Sequence, residues 1–163
     1  TVKLGNDVAA NQFISGDNGT LDLGGYTLTT AAIGNDVTLR GLLKGSGTII
    51  GDVAHDASTI SPGDSVGEIN ITGDLAPAAA PPATNLAVIE LQGEAAGQFD
   101  TINVTGHAHT IGDVQISLLG GYVPEPFADT FAFMTYGSRT GTFDDIINNR
   151  WNLFRYTYYR RFR

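Results

Sequence analysis

The chain has 163 residues, of which 17 are acidic and 9 basic, with no cysteine and a formal net charge of −8. This length can bury a core without covalent staples, and the lack of cysteine excludes a disulfide framework, a thiolate metal site and a cysteine nucleophile. The charge is divided: residues 1–149 hold all the acidic residues against four basic ones, a net of −13, whereas Arg150, Arg155, Arg160, Arg161 and Arg163 place +5 in the tail, so the body repels nucleic acid and anionic membranes.

Along the chain one pattern recurs: apolar, any, apolar, any, Gly. It is read at Leu21-Asp-Leu23-Gly-Gly25, Val37-Thr-Leu39-Arg-Gly41, Ile69-Asn-Ile71-Thr-Gly73, Ile89-Glu-Leu91-Gln-Gly93 and Ile102-Asn-Val104-Thr-Gly106. Period-two alternation puts both apolar residues of each unit on one face, and the closing glycine suits a corner or a positive φ. Gly51-Asp-Val53, Gly73-Asp-Leu75 and Gly112-Asp-Val114 are a second echo. Gly-rich, cornered strands with a single Asn-Gly, at Asn18-Gly19, favour stacked coils over a sandwich of hairpins. Threonine and asparagine rows are expected to ladder on the outside.

Residues 1–75 are therefore expected to form β-solenoid coils. Residues 76–85, with Ala76-Pro-Ala-Ala-Ala-Pro-Pro-Ala83, read as a Pro/Ala-rich loop. Residues 86–163 continue as a β-rich, partly antiparallel C-terminal half of one structural unit. Within that half, Gly120 to Pro126 is turn-rich and Thr130 to Tyr136 reads as a strand. Asp144 to Asn149 is the one weakly helical stretch. In the tail Phe154, Tyr156 and Tyr158 share one strand face, and Trp151 and Leu153 the other. No apolar run approaches the ~20 residues of a membrane span, so the chain is expected to be soluble, with any export signal removed or left out of the sequence.

Several stretches carry a family resemblance. They are Gly45-Ser-Gly47 through Gly51-Asp-Val53 to Ser61-Pro-Gly-Asp-Ser65-Val-Gly67, Gly97-Gln-Phe-Asp-Thr-Ile-Asn-Val-Thr-Gly106, Leu118-Leu-Gly-Gly-Tyr122, Asp129-Thr-Phe-Ala-Phe-Met134, Gly141-Thr-Phe143 and the strand from Trp151 to Tyr156. In this order, over about residues 40 to 156, they resemble the passenger region of autotransporters and the autotransporter-associated β-strand repeat proteins. The resemblance implies a right-handed parallel β-helix, exported and displayed at or beyond the cell surface, acting as scaffold or stalk without catalytic residues. No barrel follows, so self-transport is not expected. Val123-Pro-Glu-Pro126 resembles a bacterial sorting signal, but the apolar span such a signal needs does not follow, and it reads as a turn.

Chemistry-bearing residues are few. His107 and His109 point the same way on a strand and would make half a metal site, with His55 distant in sequence; two outward-facing side chains is the simpler reading. Asp17, Asp22, Asp36, Asp52, Asp56, Asp64 and Asp74 recur near corners, where a structural calcium is conceivable, but EF-hand and nonapeptide spacings are missing and aspartate suits turns anyway. No catalytic residues, no metal site and no cofactor are expected, because no two groups are marked for acid and base roles. The tail is either a closing strand on its own fold or a strand given to a neighbour. Aromatic anchors and arginines suit an interface, so Trp151, Phe154, Arg155, Tyr156, Tyr158 and Arg160 are the expected subunit contact.

The expectation is an all-β, secreted, non-enzymatic protein at the cell surface or in the extracellular matrix. Its partners would be copies of itself, in a homo-oligomer or head-to-tail filament, with no nucleic acid and no membrane insertion. The alternative is an adhesin or stalk module binding glycans or host surfaces. A third reading, a polysaccharide-active β-helix enzyme, needs carboxylates converging in a cleft.

Overall fold

The computed structural model describes residues 1–30, 37–78, 84–125, 128–148 and 159–160. All the described regular structure is β, and nearly all of it pairs in parallel. The strands are β1 (Val2–Lys3), β2 (Val8–Ala10), β3 (Phe13–Ile14), β4 (Thr20–Asp22), β5 (Thr27–Thr30), β6 (Val37–Leu39), β7 (Leu42–Lys44), β8 (Gly47–Ile50), β9 (Val53–His55) and β10 (Thr59–Ser61). They continue with β11 (Glu68–Thr72), β12 (Leu75–Pro77), β13 (Leu86–Leu91), β14 (Thr101–Thr110), β15 (Asp113–Leu118), β16 (Met134–Gly141), β17 (Asp145–Asn148) and β18 (Tyr159–Arg160).

Through β12, successive strands visit three ladders in rotation. The first runs β1-β4-β7-β10-β13-β15-β17, the second β2-β5-β8-β11-β14 and the third β3-β6-β9-β12-β14. The ten-residue β14 serves both of the last two. Ile102 and Val104 pair with Ile69 and Ile71 of β11, and Ala108 pairs with Leu75 of β12. β16 follows β14 along both halves, with a register shift between Val104 and His107.

The alternation read from the sequence is what fills the core. In the first ladder Leu21, Leu43, Ile60, Ala87 and Val114 stack in register. In the second, Leu28, Ile49, Ile71, Val104 and Tyr136 do so, and in the third, Val37, Val53, Leu75 and Ala108. All are buried, as are both apolar residues of each of the five Gly-closed units. Burying each such Leu, Ile or Val side chain is worth about 1.5–3 kcal/mol.

The outer faces carry a polar row. Thr27, Thr48, Asn70, Asn103 and Thr135 are register neighbours. Asn103 Nδ2 donates to Asn70 Oδ1 at 3.1 Å and Thr135 Oγ1 to Asn103 Oδ1 at 2.7 Å, as the expected threonine and asparagine ladder requires.

Three expectations need correction. Antiparallel pairing in the C-terminal half reduces, among the described residues, to one isolated bridge, Leu91 with Phe99. The weakly helical stretch read over Asp144–Asn149 is a strand where it is described: Asp145–Asn148 is β17, held parallel to Asp113–Ile116 of β15, because ladder pairing outweighs a weak local preference. The strand read over Thr130–Tyr136 begins only at Met134, with Phe131 and Phe133 turned into an aromatic cluster instead.

The glycines, too, have more than one reason. Gly25 does adopt the left-handed region, at φ 91°. Gly106 does not; a Cβ there would meet Asp74 Oδ1 and the backbone of Gly73 in the neighbouring strand connection, so the need is for space.

Candidate functional site

Two places have properties that packing alone does not explain: the ends of the ladders, and a small, mostly apolar cavity that takes in buried polar side chains. Among the described residues β1, β2 and β3 each have a ladder neighbour on one side only. Their free edges present unpaired backbone groups of the kind that template another strand, and Val2 and Ile14 beside them are 48% and 61% exposed.

At the opposite end β18 pairs with β16, Tyr159 opposite Thr135 and Arg160 opposite Tyr136. Of the expected contact residues, only Arg160 is placed by its backbone. Trp151, Phe154, Arg155, Tyr156 and Tyr158 lie outside the described residues, as do Asp36 and residues 79–83 of the Pro/Ala-rich loop.

The corner acids act on the backbone of neighbouring connections. Asp52 Oδ1 accepts the Asp74 N–H at 2.8 Å, and Asp74 Oδ1 accepts the His107 N–H at 2.7 Å. Asp7 Oδ1 takes the Thr27 N–H at 2.8 Å and Asp144 Oδ2 the Gly112 N–H at 3.1 Å. Asp22, almost fully buried, pairs with Lys3 at 3.2 Å, Asp56 with Arg40 at 3.7 Å, and Asp64 with Lys44. Among the described residues no three His, Cys, Asp or Glu side chains converge as metal ligands.

His107 and His109 are separated by their partners. His107 reaches across to β16, its Nδ1 2.8 Å from Ser138 Oγ and its Nε2 2.9 Å from Thr140 Oγ1. His109 instead lines a small cavity together with His55, Asn85 and Thr110, closed by apolar side chains such as Met134 and Phe143. His55, distant in sequence, arrives because β9 lies beside β12, whose Leu75 pairs with Ala108.

Of the lining residues, His55 and Asn85 have Nε2 and Nδ2 buried without a hydrogen-bond partner. Burial, with the charge of His109 adding to it, depresses the His55 imidazole to about 4, so the ring is neutral at pH 7.

In the sequence Asp100 stands only as one position of the Gly97-to-Gly106 stretch that carries the resemblance, with no role of its own. It is fully buried and accepts the Gly67 N–H at 2.7 Å and the Glu90 N–H at 2.9 Å, tying the connection before β11 and strand β13 to the residue just ahead of β14. Burial lifts its carboxyl to about 6 against the pull of those donors. A polar residue directly before an apolar alternation, Asp100 ahead of Thr101-Ile102, was the available signal.

A surface cluster joins Tyr122, whose hydroxyl is 2.5 Å from Asp129 Oδ2, with Glu94 and Glu125. The Tyr122 bond holds Asp129 below the usual carboxylate range, and the Asp129 contact raises Glu94. Phe131 packs edge-on against Phe99 and Tyr122, with centroids 5.5 and 6.3 Å away. The rings thus use their faces and edges on one another.

Comparison of the chain with protein-family models, with curated proteins and with solved structures finds no match.

Proposed function

We propose that the chain is an extracellular structural protein, a short right-handed parallel β-solenoid that serves as subunit of a surface or matrix fibre and assembles through β-strand contacts at its ends. One observation carries this reading: parallel ladders visited in rotation, in which β1, β2 and β3 have a neighbour on one side only among the described residues, with Val2 and Ile14 exposed beside them. A head-to-tail contact between such an edge and the opposite end of another copy does not close, and so yields a filament. The +5 tail against the −13 body adds electrostatic complementarity. Trp151, Phe154, Arg155, Tyr156, Tyr158 and Arg160 are the residues assigned to the contact. The resemblance of residues 40–156 to exported β-strand repeat proteins supports the same placement outside the cell and the same absence of catalysis.

The test is electron microscopy with sedimentation of the intact chain and of the chain ended after Asn149. Fibres from the intact chain alone support the proposal. A folded intact chain that stays monomeric across concentration and salt sinks it. Glycan binding by that monomer would favour the second reading, an adhesin module, for which the Tyr122, Asp129 and Glu94 surface is the place to look.

A further inference from the structure

The cavity between β9, β13 and β14 has an unusual lining for the interior of an apolar stack. His55 is 5% and Asn85 2% exposed, each with a polar side-chain atom left unpaired. An unsatisfied buried donor or acceptor costs about 1–3 kcal/mol, and two in one cavity call for a shared partner.

The orientation of Asn85 is fixed independently. Its Oδ1 accepts the Ser58 N–H at 3.0 Å and the Ser58 hydroxyl at 3.3 Å. A flipped amide would turn N–H against N–H. The unpaired Nδ2 is therefore a true donor, and whatever it meets must accept. His55 is neutral, so its Nε2 offers a lone pair when the ring proton sits on Nδ1. A molecule that accepts from one group and donates to the other satisfies both. Thr110 Oγ1 also lines the cavity; it spends its proton on Thr140 O at 3.2 Å and keeps lone pairs for a second donated hydrogen.

Size selects the molecule. The cavity volume is about 20 Å³, against the roughly 10–15 Å³ on the same measure that one water needs, with two to four polar partners. We propose that this cavity is a binding site for a single neutral hydroxylic molecule, a water, which accepts the Asn85 Nδ2–H and donates to His55 Nε2 and Thr110 Oγ1.

Such a water gives His55 a defined tautomer and gives the stack a register. In the third ladder His55 is the register partner of Leu39 on one side and Pro77 on the other. A slip of β9 along its neighbours would take the imidazole away from Asn85 and the water and leave His55 Nε2 buried without a partner. Buried polar groups are known to specify register in this way.

The experiment is a high-resolution crystal structure of the unmodified chain, read together with ring-nitrogen NMR of His55 at pH 7. The expected result is one water per chain within hydrogen-bond distance of His55 Nε2 and Asn85 Nδ2, an unprotonated Nε2, and slowly exchanging water contacts to the His55 ring. A dry cavity overturns the proposal, and so does a protonated Nε2 bonded directly to a protein carbonyl. A His55→Leu chain that folds is expected to lose the slowly exchanging water signal; its persistence there would place the water elsewhere and equally overturn the assignment.

Discussion

The two halves of the molecule use one pairing scheme at two sizes. Up to Asp74, side-chain hydrogen bonds between ladder neighbours join residues 20 to 25 apart. Beyond Ser58 they join residues 27 to 33 apart. The narrow region is filled by aliphatic residues such as Leu21, Leu28, Leu39, Leu43 and Ile49, whereas the wide one adds Met134, Tyr136 and Phe143 to its core and packs Phe99, Tyr122, Phe131 and Phe133 against it. The residues added by the longer return lie mostly in the connections between strands, and these connections carry Phe99, Tyr122, Phe131 and Phe133. The cavity lies where the two regions meet, lined by His55 and Ile60 from the first and Asn85, Met134 and Phe143 from the second.

If this contrast is right, truncation is felt most in the narrow half. Leu43→Ala, fully buried between Leu21 and Ile60, is expected to cost about 3–4 kcal/mol in urea unfolding. Phe131→Ala, only half-buried and held by two edge contacts, is expected to cost about half of that. A larger loss at Phe131 would mean that the aromatic cluster, rather than the aliphatic rows, carries the fold.

A second contrast concerns glycine. Gly106→Ala places a methyl against Asp74 and the Gly73 backbone and is expected to destabilise by about 2 kcal/mol. Gly5→Ala, with open space around it and no positive φ, is expected to change stability by less than about 0.5 kcal/mol. Equal effects would show that the close approach at Gly106 relaxes freely.

These contrasts also show how far the sequence could be read. The ten apolar positions of the five Gly-closed units were legible because alternation is a local property, and a buried face needs nothing else. The partners of each strand were not, because the return length changes along the chain and no single repeat reveals it. His55 looked isolated for that reason: its neighbours Asn85 and His109 lie one and two returns away. Asp144–Asn149 misled because Asp-Asp-Ile-Ile-Asn-Asn shows no period-two alternation, and the strand within it, Asp145–Asn148, forms through pairing with Asp113–Ile116. The candidate contact residues of the tail rest on composition alone, Arg160 excepted in its backbone.

The buried ionisable groups sharpen the comparison through pH, with opposite signs. His55 falls to about 4 in the folded chain, below the ordinary 6.5, so the stability it permits is full above pH 6.5 and is lost as pH falls towards 4. Asp100 rises to about 6 from 3.8, so its contribution is full below pH 3.8 and is lost as pH climbs through 6. Each slope reaches at most about 1.4 kcal/mol per pH unit, and between pH 4 and 6 they oppose. Unfolding measured across that window is expected to be flatter for the unmodified chain than for either variant. Stability rises with pH in Asp100→Asn and falls in His55→Leu, relative to the unmodified chain and whatever the offset of each variant. Parallel profiles for all three would mean that neither group is closed off from water as described.

One further expected effect lies at the junction of the two halves, and it is a gain. Ala57 is exposed and holds φ 47°, immediately after the β9 strand end and before Ser58, which Asn85 ties down from the next connection. A Cβ in the left-handed region costs roughly 1–2 kcal/mol, and a glycine returns about 0.5–1 kcal/mol of that as added freedom of the unfolded chain. Ala57→Gly is therefore expected to stabilise by about 0.5–1 kcal/mol, seen as a higher urea midpoint at unchanged slope. Asn18, at φ 59°, is the control: asparagine tolerates this region, so Asn18→Gly is expected to be close to neutral. A loss at Ala57 with no loss at Asn18 would show that the turn after His55 relaxes to another conformation in solution. The hold of Asn85 on Ser58, on which the cavity depends, would then have to be looser than the hydrogen bonds indicate.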